Sequence, residues 1–78
     1  MKTTKDNRTR RRKIGDAIRK RRETLGLSQE GLAEVIDCHR NYVGLVERGE
    51  HNVSIEMIAR FADAFKCRAS DLIREAGF

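Results

Sequence analysis

No proline or tryptophan occurs anywhere in the 78 residues, and the aromatic complement is one tyrosine and three phenylalanines. A chain of this length holds one small apolar core, with little room for a second domain or a buried catalytic cleft. Long apolar runs are missing too, and the N-terminus lacks the apolar stretch of a signal peptide, so neither a membrane-spanning segment nor Sec export is expected. The expectation is a soluble, cytoplasmic, nucleoid-associated protein. Cys38 and Cys67 have no CxxC partner and no His pair at metal-ligand spacing. Each falls where the local pattern wants a small apolar residue, so reduced, buried thiols are expected in place of a disulfide or a metal site. No nucleophile with its base, metal cluster or phosphate-binding loop can be assembled, so no enzyme activity and no cofactor are expected.

What is present in excess is positive charge, and it is concentrated at one end. Residues 1–22 contain eleven Lys/Arg and two Asp, whereas residues 23–78 contain six Lys/Arg and ten Asp/Glu. A basic N-terminal end attached to a mildly acidic body is suited to a polyanion such as nucleic acid. The first nine residues, MKTTKDNRT, have no apolar periodicity and read as a flexible basic arm ahead of a single domain over residues 10–78. In that arm and its continuation, Lys2, Lys5, Arg8, Arg10, Arg11 and Arg12 are candidates to track phosphate or enter a flanking minor groove.

The remaining pattern is helical throughout, with no β alternation and no internal repeat, and it divides into helices over about 10–25, 29–36, 40–48, 55–66 and 69–75. Ile14, Ala17, Ile18 and Leu25 share one face of the first, which Gly26 ends. Ser28 is placed as an N-cap for the second, whose buried face is Leu32, Ala33 and Ile36. Val43 and Val46 form the inward pair of the third, and Gly49 stops it. Ser54 caps the fourth, which is expected to bury Ile55, Ile58, Phe61, Ala62 and Phe65. The fifth offers Leu72 and Ile73. The fold class is therefore all-α, a compact five-helix domain.

Residues 28–49, SQEGLAEVIDCHRNYVGLVERG, read as two short amphipathic helices joined by a tight turn. Asp37 stands at the turn position where glycine is usual because the backbone takes positive φ, at a local cost on the order of 1 kcal/mol. With Val43 and Val46 turned inward, the third helix presents His39, Arg40, Asn41, Gly44, Leu45 and Arg48 outward, with Tyr42 at the edge. Arg40 can bridge both acceptors of a guanine edge, Asn41 can do the same on adenine, and Tyr42 can touch a thymine methyl or donate to a phosphate. Gly44 permits close approach, Gln29 offers an amide and a helix N-terminus to a phosphate, and His39, Arg48 and Asn52 suit the backbone. Glu47 is the exception, since an acid on such a helix repels phosphate unless it is turned away and paired. Arg22, at the end of the first helix, is the expected partner.

Taken together, GLSQ, LAE, HRNYV, VERG and N-V-S in this order over about residues 14–73 resemble the lambda-repressor and Cro-like helix-turn-helix family, and within it the small controller proteins of restriction-modification systems. The resemblance implies a lambda-repressor-like five-helix DNA-binding domain, transcriptional control, and a homodimer on a pseudo-palindromic operator. It carries Gln29 over as a phosphate anchor, Arg40, Asn41 and Tyr42 as groove residues, and Arg48 with Asn52 near the backbone. The chain departs from the family pattern at Gly31, Asp37 and Arg68, and in its long basic N-terminus. One such unit covers too few base pairs to be selective, so half-sites about 34 Å apart and a two-fold dimer are expected, with Leu72, Ile73 and Phe78 as dimer candidates. Double-stranded DNA, a second copy and RNA polymerase are the expected partners. A DNA-binding antitoxin or a phage-type repressor is the alternative.

Overall fold

The computed structural model describes residues 4–78, with side chains from residue 7 onward. The described residues form five helices, α1 Thr4–Thr24, α2 Gln29–Val35, α3 Arg40–Glu47, α4 Ile55–Phe65 and α5 Ala69–Glu75, and no strand. Helix α1 packs along α3, α4 and α5, while α2 and α3 form a tight pair.

All five helices end in the same way. In each, the residue that follows the one at positive φ donates its N–H to the carbonyl five residues back, the positive-φ residues being Gly26, Asp37, Gly49, Lys66 and Gly77. This is the Schellman arrangement, which satisfies the last free carbonyls. Asp37 adopts φ 56°. Lys66 takes the same conformation at φ 58°, at a position where the sequence gives no turn signal. Replacing Asp37 with Gly relieves the steric cost of a Cβ in the left-handed region but frees the unfolded chain. The net expectation is a gain of about 0.5 kcal/mol, read as a rise in the urea midpoint at unchanged slope.

At the opposite ends, Ser28 Oγ accepts from Gly31 N at 2.9 Å and Ser54 Oγ accepts from Met57 N at 3.1 Å. His39 caps α3 through Nδ1, which accepts from Asn41 N at 3.1 Å. Arg68 has no capping side chain to offer α5. Instead Asp71 accepts the Arg68 N–H at 3.0 Å, and that bond holds the Asp71 carboxyl below the usual carboxylate range.

The core is one cluster in which Ile18, Leu32, Val43, Val46 and Phe61 are fully enclosed. Three sequence expectations are corrected here. Leu25 is exposed, because α1 ends at Thr24 and the chain is already turning; Leu27, two residues further on, packs against the core in its place. Ile55 is 70% exposed, since it opens α4 in its first turn and no neighbouring helix reaches over it. Cys38 and Cys67 are half-buried and unpaired, not fully enclosed, and partial burial pushes both thiols up.

The N-terminal boundary is also different from the pattern-based one. Helix α1 begins at Thr4, well ahead of Arg10, so residues 4–9 are helical. A helix anchored by packed residues extends by one hydrogen bond per added residue, and Lys and Arg are good helix formers, so no apolar face is needed to continue it. Lys2 lies outside the described residues, as does the side chain of Lys5.

Two contacts that the sequence does not announce fix the helices relative to one another. Arg60 of α4 donates Nη2 to the carbonyl of Ile36, and to that of Asp37 at 3.4 Å, tying α4 to the turn between α2 and α3. Arg21 of α1 grips Glu75 of α5 with Nε to Oε1 at 3.0 Å and Nη2 to Oε2, and this bond holds the Glu75 carboxyl below its ordinary range.

Candidate nucleic-acid interface

Leu32 and Ala33 of α2 and Ile36 at its C-cap pack with Val43 and Val46 of α3 in the core, which leaves the opposite side of α3 to solvent. That side forms a shallow depression of about 360 Å³ lined by Gln29, Arg40, Asn41, Gly44, Leu45 and Arg48. Arg40 and Asn41 are exposed at its mouth, and neither side chain has a hydrogen-bond or ion-pair partner among the described residues. A guanidinium and a carboxamide standing free on a helix face can each make a bidentate pair with a base edge.

Gly44 makes the depression possible. A Cβ there would lie 3.1 Å from Arg48 Nη1 and 3.7 Å from Gln29 Oε1, so a larger residue would press on both flanking side chains. Arg48 itself is steadied by Glu50, with Nε to Oε1 at 3.2 Å in an exposed pair that contributes little to stability.

Behind the depression lies a buried polar cluster. Glu47 is 6% exposed, and its carboxylate accepts from Arg22 Nε at 2.7 Å and Arg22 Nη2 at 3.1 Å. Gln29 Nε2 donates to the same carboxylate at 3.0 Å, and Arg22 Nη1 donates to the Leu27 carbonyl at 2.8 Å. The Glu47 hydrogen bond raises the Arg22 pKa further above its ordinary value, so the guanidinium stays charged. One acid thus joins the end of α1, the loop before α2 and the first residue of α2 to α3. Its negative charge is offset before it reaches the surface. Gln29 keeps its second N–H, which is the donor left for a phosphate.

The other residues read from the sequence are spread more widely. His39 is exposed at the N-cap of α3, and because Nδ1 accepts, the neutral ring carries its proton on Nε2, an outward donor. Tyr42 does not share the depression. Its ring packs against the core, parallel to Phe61 at 6.4 Å and edge-on to His51 at 5.0 Å, and burial pushes its hydroxyl pKa up. Asn52 is exposed near Tyr42 along a second hollow, of about 310 Å³, that also includes Cys38, His51 and Arg60. The pattern of α3 places Tyr42 at the edge of the outward face; contact with α4 turns it toward the body.

Of the basic residues ahead of the core, Arg8, Arg10 and Arg12 are exposed and Arg11 is half-buried, donating Nε to the Gly49 carbonyl at 3.3 Å. Among the dimer candidates, Leu72 is withdrawn: it is 3% exposed in the core, where α5 lies against Ile14, Ile18 and Ile58. Ile73 is half-buried against the same cluster. Phe78 is 52% exposed, with Lys13 Nζ 5.9 Å from its ring centroid. Leu45, which the sequence pattern places on the outward face, lines the depression, and Glu50 joins the surface beside it without having been singled out. Glu50 lies in a loop, so only its position marks it.

No group of three or more His, Cys, Asp or Glu side chains among the described residues is arranged to hold a metal ion. No described helix is long and apolar enough to cross a membrane.

A family model described as helix-turn-helix matches residues 18–72. The control protein C.SmaI of Serratia marcescens is 36% identical over 64 residues, covering 82% of this chain and 76% of that protein. Among solved structures, the restriction-modification controller protein C.AhdI from Aeromonas hydrophila is similar at 43% identity with a TM-score of 0.74, covering 77% of this chain and 91% of that one. The clp gene regulator ClgR from C. glutamicum superimposes with a TM-score of 0.82 at 31% identity, covering 86% of each chain. The relatives named are regulators and controllers.

Proposed function

This chain belongs to the helix-turn-helix family, and on that premise we propose that it is a double-stranded-DNA-binding transcription regulator of the restriction-modification controller kind, acting as a homodimer on a pseudo-palindromic operator. The observation that carries the reading is the convergence of Gln29, Arg40, Asn41, Gly44 and Arg48 on one depression, with the Arg40 and Asn41 side chains unpartnered among the described residues. Free guanidinium and carboxamide groups side by side on an exposed helix face are available to pair with base edges. Arg40 and Asn41 read base edges, while Gln29, His39 Nε2 and Arg48 hold phosphates on either side.

Tyr42 and Asn52 take a lesser part, at the flank where the chain leaves α3 for α4. The second copy docks through Ile73 and the exposed ring of Phe78, and the spacing that a two-fold site requires of the two recognition helices is about 34 Å, one turn of the duplex. RNA polymerase contact belongs to the same proposal, for promoters where the dimer activates.

Selection of bound sites from a random duplex pool at fixed salt tests this directly. The expected result is an enriched two-fold symmetric site, and a monomeric, non-palindromic preference would overturn the dimer. On the selected site Arg40→Ala is expected to weaken binding by about 2 kcal/mol and to relax one base position per half-site. Uniform weakening on every sequence would instead make Arg40 a phosphate contact.

A further inference from the structure

The N-terminal half of α1 lies outside the helix-turn-helix match, which begins at residue 18. It is nevertheless held to the body at a specific place. Arg11 Nε donates to the Gly49 carbonyl at 3.3 Å, and the bare Cα of Gly49 rests on the backbone of Arg12, where an added Cβ would come within 2.8 Å of the Arg12 Cα. Gly49 follows Arg48, which lines the base-facing depression. The N-terminal half of α1 therefore begins where the recognition helix ends.

Most of the cations in the C-terminal half of α1 have partners, Lys20 being exposed without a carboxylate partner among the described residues. Closer to the body, Arg19 pairs with Asp16, Arg21 with Glu75 and Arg22 with Glu47. Lys13 faces the Phe78 ring. Arg8, Arg10 and Arg12 are exposed and have no carboxylate partner among the described residues. Arg8 and Arg12 stand at i and i+4, on one face of an unbroken helix, about 6 Å apart along its axis.

We propose that this segment is a rigid second DNA-contacting element, a basic helix in which Arg8 and Arg12 bind backbone phosphates just outside the half-site read by α3. The inference rests on the DNA-binding reading above and adds where the flanking contact is made and by what structure. Unpaired guanidinium groups are matched in charge and geometry to phosphate oxygens. Duplex DNA presents a charge every 1.7 Å or so along its axis, so even the roughly 12 Å from Thr4 to Arg12 spans several of them. Because the helix is preformed, its charges are placed before binding and little ordering cost remains at contact.

The test uses the full chain on its selected operator and on an unrelated duplex across a salt series. The double variant Arg8→Ala/Arg12→Ala is expected to weaken both DNAs alike and to reduce the slope of log K against log salt by about 2, with site preference unchanged. A second variant, Asn7→Gly/Thr9→Gly, keeps every charge but loosens the helix, which circular dichroism verifies. It is expected to lose about threefold in affinity at moderate salt, because the ordering cost returns on binding. Unchanged affinity and slope in the arginine variant would overturn the contact. Full affinity in the glycine variant, with weakened binding in the arginine variant, would overturn the rigid helix in favour of a flexible arm. Arg40→Ala serves as the separate control: if it leaves site preference intact, the base-reading assignment fails on its own, whatever the α1 variants do.

Discussion

Replacing Glu47 with Ala is expected to lower the unfolding free energy by about 3–5 kcal/mol, because it leaves Arg22 enclosed with only the solvent-exposed Glu23 carboxylate, 4.0 Å away, as counter-charge. The Arg22 side chain is only 12% exposed, and the same substitution takes away the acceptor for Gln29 Nε2. A domain of this size has only about 4–12 kcal/mol of total stability, so the variant should melt some tens of degrees lower or fail to accumulate folded. The Arg22–Glu47 pair need not be a strong net contributor for this to hold. Taking both charges out of water is itself costly, and the large effect comes from removing one partner while the other remains. The double variant Arg22→Met/Glu47→Leu separates the two: it is expected to recover much of the loss, since neither charge is then stranded. Thermal denaturation of the unsubstituted protein, Arg22→Met, Glu47→Leu and the double variant gives the coupling as a double-mutant cycle. An unchanged melting temperature for Glu47→Ala would show that the cluster is solvated. Where the doubly substituted protein folds, it should still bind DNA more weakly, because Gln29 has lost the carboxylate that orients it beside Gly44.

How far the sequence could be read depended on whether the physical cause was local. Ser28, Ser54, Gly26 and Gly49 act on backbone groups within a few residues, and the helix ends they set stand within a residue of the positions the pattern gives. The i, i+3 spacing of Val43 and Val46 orients α3 in the same local way, and with it the outward side that carries Arg40 and Asn41. Glu47 was conspicuous for a related reason: an acid among groove-facing residues has to be neutralised somewhere. What the sequence could not supply was the neighbour that decides a side chain's fate. Ile55 continues the apolar period of α4 yet has nothing above it, whereas Leu72 is covered because α5 folds back on α1. Tyr42 is turned by Phe61 and His51, which lie in later segments. The basic segment lacks periodicity, which reads as a loose arm, but its helix is continued from a packed segment and docked through Gly49, a residue 38 positions from Arg11.

Gly15 is the residue whose importance is least visible in sequence and whose replacement is expected to cost most after Glu47. In the middle of an exposed helix, glycine is a weakness: Gly→Ala there gains about 1 kcal/mol of helix propensity and removes unfolded-state freedom. Gly15 is buried where α1 crosses α3, and a Cβ would fall 2.3 Å from the Val46 carbonyl oxygen and 2.7 Å from that of Glu47. Those are backbone atoms near the end of a helix, so no side-chain rotation can clear the space, and α1 and α3 must move apart. Separation would also stretch the Arg22–Glu47 contact and lift Gly49 from Arg12. Overpacking of this kind costs at the upper end of its usual range, so Gly15→Ala is expected to destabilise by about 3 kcal/mol net of the propensity gain. Equilibrium denaturation checks the sign as well as the size: a stabilised Gly15→Ala would mean that the helices are not in backbone contact there. Because the same crossing sets where the basic half of α1 begins relative to α3, Gly15→Ala protein that remains folded should bind its operator with a shallower salt dependence while keeping its base preference. That outcome would link the helix crossing to the placement of Arg8 and Arg12.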